Sequence, residues 1–120
     1  YTYLSLRACQ GTRHPNTTAA LEDLTFLVSL RDVNGVQSTI SVGAYGGGIE
    51  EPYQRSGSLS GGGVGWHNEM ETIRIRLTDF LADESGLNLN LIQAVRFDFG
   101  GQGVSPIGRQ GMDDIELTRD

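Results

Sequence analysis

Apolar residues at every second position run through the second half of this 120-residue chain, and they restrict it to a sheet-based fold. Ile73, Ile75 and Leu77 alternate with Thr72, Arg74 and Arg76, the pattern of a strand with one buried face. Val95, Phe97 and Phe99 alternate with Arg96 and Asp98, and Ile115 and Leu117 repeat the pattern near the end. After the first of these strands, Thr78 and Asp79 turn the chain, with Phe80 and Leu81 as apolar anchors.

The first half continues the theme. Leu4, Leu6 and Ala8 alternate with Tyr3, Ser5 and Arg7, and Leu24, Phe26, Val28 and Leu30 mark a second strand. Asp32-Val33-Asn34-Gly35 then reads as a hairpin turn in which Asn34 and Gly35 supply positive φ angles. The returning strand lines its inner face with Val36, Ser38, Ile40, Val42 and Ala44. Helix is confined to single turns near 79–83 and 90–93. The expected fold is therefore one all-β domain spanning 1–120, an antiparallel β-sandwich with six or seven strands. That is one or two strands short of a closed eight-stranded jelly roll. The reading expects those strands upstream of Tyr1, in a longer chain. Its expected core is Leu4, Leu6, Phe26, Val28, Ile40, Val42, Ile73, Ile75, Leu77, Val95, Phe97, Ile115 and Leu117.

Charge narrows the function classes. The net charge of −6 argues against nucleic-acid binding, because a phosphate backbone calls for clustered cations, and no nucleic-acid partner is expected; all nine cations are arginine. The arginines favour paired bonds to carboxylates across exposed sheet faces. Cys9 is the only cysteine, which rules out an internal disulfide and reads as a small buried residue. No apolar run approaches the ~20 residues needed to cross a bilayer, so no membrane insertion is expected. No nucleophile elbow or phosphate loop is present, and no acid, base and nucleophile converge; the expectation is a non-catalytic domain.

Residues 46–68 break the pattern with dense glycine and little apolar periodicity. A loop of this length inside a compact domain is a natural place for a binding determinant. Its large side chains are amphipathic. Tyr53 and Trp66 would form a contact surface, with Arg55 and Glu51 supplying polar bonds, an arrangement that suits a glycan or a protein partner. The alternative is that Tyr53 and Trp66 fold back as lids on an open edge of the core. His67, Glu69 and Glu71 recur at every second position and would share one face of a strand, a spacing explained as well by a solvated face as by a metal.

The Asp113-Asp114 pair offers a second candidate site. Strict alternation would put Met112 and Ile115 on opposite faces, although both are apolar. A β-bulge at the aspartates returns both to the inner face. Such a bulge beside two carboxylates suits Ca²⁺, which takes six to eight oxygens. Equally, the aspartates can accept bonds from backbone N–H groups or from arginine.

Three runs together resemble the C-terminal half of galactose-binding-like jelly rolls, the β-sandwiches that include many carbohydrate-binding modules of bacterial secreted proteins. They are Thr72 through Phe80 with its Leu77-Thr78-Asp79-Phe80 corner, Leu89 through Phe97, and Met112-Asp113-Asp114-Ile115-Glu116-Leu117. The resemblance covers about half the chain. It implies the jelly-roll fold, an extracellular or cell-surface setting, and a structural calcium near Asp113 and Asp114. It does not carry over a sugar-binding face, since the one Trp and four Tyr are scattered. Two functions stay open. One is a non-catalytic carbohydrate-binding or cell-surface recognition module of a larger secreted bacterial protein. The other is a structural or assembly β-sandwich that binds a protein partner. Converging aromatics would favour the first; an open strand edge, to be covered by an upstream segment or by another chain, would favour the second.

Overall fold

A computed structural model of the chain describes residues 1–10, 23–45, 47–49, 53–55, 65–67, 70–101, 104 and 110–120, with backbone alone for 53–55 and 65–67. Eight strands lie among these residues: β1 (Tyr3–Gln10), β2 (Leu27–Asp32), β3 (Gln37–Ser41), β4 (Tyr53–Arg55), β5 (Gly65–His67), β6 (Glu71–Arg76), β7 (Ile92–Asp98) and β8 (Gln110–Thr118). Two three-stranded antiparallel sheets carry the fold, in the orders β6-β1-β8 and β3-β2-β7. Among the described residues, helical structure is limited to 3₁₀ turns at Val42–Ala44, Leu77–Leu81 and Leu89–Leu91. None of the described helices is long and apolar enough to cross a membrane.

The all-β sandwich expected from the alternation is present. Both sheets contribute their inner rows to one core. Leu4, Leu6 and Ala8 of β1 join Ile73 and Ile75 of β6 from one sheet, and Val28 and Leu30 of β2 join them from the other. Phe26 and Phe80 are fully buried in the same cluster. Complete burial of an aliphatic or phenyl side chain is worth roughly 1.5–3 kcal/mol, which makes the central strands β1 and β2 the most tightly held part of the molecule. Ile73 pairs in register with Leu6 and Ile75 with Leu4, so the predicted inner faces coincide across the β1–β6 ladder. Val42 and Leu77 are also buried, and Ile40, Val95 and Phe97 are partly so.

Several expectations need correction. Ile115 and Leu117 do not belong to the closed core: they remain 49% and 38% exposed. The cause is position. β8 is hydrogen-bonded to β1 alone among the described residues, so no described strand flanks its inner row on the other side. Ala44 is exposed because the chain has already entered a 3₁₀ turn at Val42. Leu24 is held by an isolated bridge to Ile49 rather than by a strand. Leu81, expected as an anchor, is exposed, whereas Phe80 beside it is fully buried. The 46–68 segment, read as a loop, contains the β4–β5 ribbon.

The β2–β3 turn departs from expectation in a telling way. Gly35 has φ 84°, but Asn34 does not share a positive φ. The turn is held instead by the buried Asp32 side chain, whose Oδ1 accepts the backbone N–H groups of Asn34 at 2.9 Å and Val36 at 3.1 Å. Its Oδ2 accepts the N–H of Asn88 at 3.0 Å, tying the hairpin to the segment that feeds β7. These bonds, led by the one from Asn88, hold the Asp32 carboxyl below the usual value of 3.8 against the opposing effect of burial. A lowered folded-state pKa gives stability that is present above the unfolded value and is lost as pH falls through the folded one. The Asp83 carboxyl is lowered too, chiefly by the Ser38 hydroxyl and then by Ser85. Stability should therefore decline below about pH 4, and Asp32→Asn should flatten that decline while lowering stability at neutral pH. Urea titrations across the acid range check this; an unchanged pH slope in the variant would show that Asp32 does not drive it.

Candidate functional site: the open groove between β7 and β8

The core strands β1 and β2 each have two partners, whereas β7 and β8, like β3 and β6, are edge strands among the described residues. The register shows which face of β8 looks inward. Leu117 lies opposite the buried Leu4, and Met112 opposite the buried Ala8. Between them the ladder slips. Ser5 pairs with Glu116 and Arg7 with Asp113, so Leu6 alone faces two residues, Asp114 and Ile115. This is the β-bulge expected from the sequence, and Asp114 takes φ 48° within it. The bulge keeps Met112, Ile115 and Leu117 on the inner face, as alternation alone would not.

β7 supplies the other wall. Val95 and Phe97 pack partly against the core, and the Phe97 ring lies 6.1 Å from that of Phe26. Phe99, just past the strand end, touches the same ring at 5.2 Å, yet it remains 55% exposed. An aromatic side chain that contacts the core and still faces solvent marks an incompletely covered interior. Toward the other end, a groove of about 750 Å³ lies against the segment from Leu81 to Asn90, with Leu30 and Leu77 in its lining and Tyr1, Ile92 and Leu117 at its β-strand side. The groove is of mixed polarity, with Asn88 and Asn90 beside its leucines, and it touches β7 at Ile92 and β8 at Leu117.

The charges around the cleft are unequal. On β7, Arg96 and Asp98 neutralise each other, with Nη2 and Nε at 2.7 and 2.8 Å from Asp98 Oδ1. On β8, Asp113, Asp114 and Glu116 are all exposed, and the ion pair described for them is a long one, Arg7 to Asp114 at 3.6 Å. Asp113 Oδ1 accepts the Asp114 N–H at 2.8 Å. These are the backbone and arginine bonds of the calcium-free reading. No group of three His, Cys, Asp or Glu side chains that could hold a metal occurs among the described residues. Two carboxylates alone fall well short of the six to eight oxygens of a calcium shell.

The loop site is reached by backbone only. Tyr53 pairs in register with His67, Gln54 with Trp66, and Arg55 with Gly65, so Tyr53 and Arg55 share one face of the ribbon and Trp66 falls on the other, and the expected joint surface of the three is not formed by the ribbon. Glu51 and Glu69 lie outside the described residues. Elsewhere, Tyr45 donates its hydroxyl to Asp79, linking the two 3₁₀ turns at Val42–Ala44 and Leu77–Leu81. Burial first, and then this bond and the Asp79 charge, push the Tyr45 hydroxyl up to about 12. Arg74 stacks over the Tyr3 ring at 4.3 Å on the outer face of the first sheet.

No known protein family, curated protein or solved structure matches this chain. The groove was partly legible in the sequence, since an open edge had been expected. Its residues were not, because the same alternation places Ile115 and Phe97 on an inner face whether or not a neighbouring strand covers them. Phe99 was the available signal: a large aromatic in phase with Val95 and Phe97 but followed at once by Gly100 and Gly101.

Proposed function

We propose that this domain is a non-catalytic β-sandwich that works by binding a protein partner along the β7–β8 side, in a structural or assembly role. The observation that carries the reading is the exposure of Ile115 and Leu117 on β8, an edge strand among the described residues, together with that of Phe99 just past β7. A soluble domain seldom leaves core-facing side chains open unless something else covers them in use. Backbone amides of an uncovered edge strand exchange quickly, while those of a central strand are protected up to the global stability. Hydrogen exchange on the isolated monomer should show β8 exchanging well ahead of β1, and an apolar dye should bind the folded protein at the groove. Equal protection of β1 and β8, with no dye binding, would defeat the reading.

A second reading is carbohydrate recognition through Tyr53, Arg55, Trp66 and Glu51, with Tyr53 and Arg55 on one face of the ribbon and Trp66 on the other. It belongs with the resemblance to galactose-binding-like jelly rolls of secreted bacterial proteins, and with an extracellular setting. A glycan-array screen separates the two: glycan binding abolished by Trp66→Ala would move the function to the ribbon. A structural calcium at Asp113 and Asp114 is part of that same resemblance, with further oxygens drawn from water or backbone. It requires the melting temperature to rise with calcium and fall with chelator, and the response to vanish in Asp114→Ala.

A further inference from the structure

We propose that the partner is an extended strand of a separate protein, alternating apolar with basic residues, which adds to the edge of β8 left unpaired among the described residues. The inference rests on the partner-binding reading and goes further by naming the chemistry of the partner. An edge strand presents alternate unpaired N–H and C=O groups that a new strand can bond. Adding one to β8 turns every second side chain of the newcomer inward, beside Ile115 and Leu117. Those positions must be apolar, because Ile115 and Leu117 stand in register with the dry interior around Leu4 and Leu6.

The remaining side chains of the newcomer turn outward, beside Asp113 and Glu116, which lie opposite Arg7 and Ser5 on β1. Asp114 adds a third carboxylate, and Arg7 is the described cation within ion-pair reach of the row, at 3.6 Å. Opposite charges on directly facing residues stabilise a strand pair and like charges destabilise it. Arginine or lysine at the outward positions therefore completes the row. The same rule disfavours a second copy of this chain. Pairing β8 with its own image would set acidic rows side by side on chains that each carry a net charge of −6. The β7 edge gives no comparable preference, because Arg96 and Asp98 already neutralise each other.

The test titrates the intact protein with three fluorescein-labelled peptides of equal length, read by anisotropy: valine alternating with arginine, valine alternating with glutamate, and the arginine peptide with its sequence scrambled. The arginine peptide should bind on the order of tenfold or more tightly than either of the others, and raised salt should weaken it. Ile115→Ser should weaken it on the order of tenfold without altering its preference over the glutamate peptide. The double variant Asp113→Lys, Glu116→Lys should reverse the preference, and circular dichroism should confirm that both variants stay folded. Equal binding of the arginine and glutamate peptides, or no reversal in the double variant, would overturn the proposed partner chemistry while leaving the open groove standing. A β8 already protected from exchange in the monomer would instead show that this polypeptide covers the groove itself, and both readings would fall. A dimer lost on Ile115→Ser would make a second copy the occupant.

Discussion

Replacing Phe26 by alanine destabilises the domain by about 3–5 kcal/mol, as measured by urea denaturation at neutral pH. Phe26 is fully buried and lies against both Phe97 and Phe99, at ring separations of 6.1 and 5.2 Å. Truncating it removes the transfer energy of a phenyl ring and opens a cavity where the two sheets meet, beside Val28 and Leu6 of the same cluster. The surroundings can collapse only partly, because the neighbouring residues are fixed by ladders on both sides. Phe99→Ala is the informative comparison. More than half of that ring is already in solvent, so its loss should cost clearly less than that of Phe26. Equal costs would mean that Phe99 is covered in solution and that the groove is closed.

Gly48→Ala should destabilise the domain by about 2–5 kcal/mol, from a strained backbone combined with overpacking. Gly48 has φ 117°, a conformation that L side chains rarely adopt, and an added Cβ would lie 2.4 Å from the Leu24 carbonyl oxygen. That oxygen accepts the Ile49 N–H at 2.7 Å, while the Leu24 N–H donates to the Ile49 carbonyl at 2.8 Å. The clash is with backbone, so no rotamer change relieves it. Relief requires the bridge to open, and the bridge is what seats the buried Leu24 and Ile49 in the core. Gly101→Ala provides the control, since nothing lies within 4 Å of its added Cβ and its φ is not positive. It should change stability by no more than a few tenths of a kcal/mol. A Gly48→Ala protein as stable as the control would show that the Leu24–Ile49 bridge contributes little.

Alternation by itself determined the sandwich and most of its core. A strand with one buried face must repeat at period two, so Leu4, Leu6, Val28, Ile73 and Ile75 announce their inward orientation regardless of partner. The clash of phase between Met112 and Ile115 likewise announced the bulge at Asp113 and Asp114 before any pairing was known. The sequence was silent on the features that depend on which segments meet. Asp32 reads as an ordinary turn residue, and only the approach of Asn88, remote in sequence, makes its carboxylate a buried tie between the hairpin and β7. Gly48 reads as one glycine among many, and only the Leu24 carbonyl makes it irreplaceable. The exposure of Ile115, Leu117 and Phe99 is of the same kind. Periodicity specifies the face on which a side chain lies, whereas burial depends on whether another strand stands beside it. Sheet order is a tertiary property, and here it places β7 and β8 at the edges among the described residues and leaves Ile115 and Leu117 partly exposed.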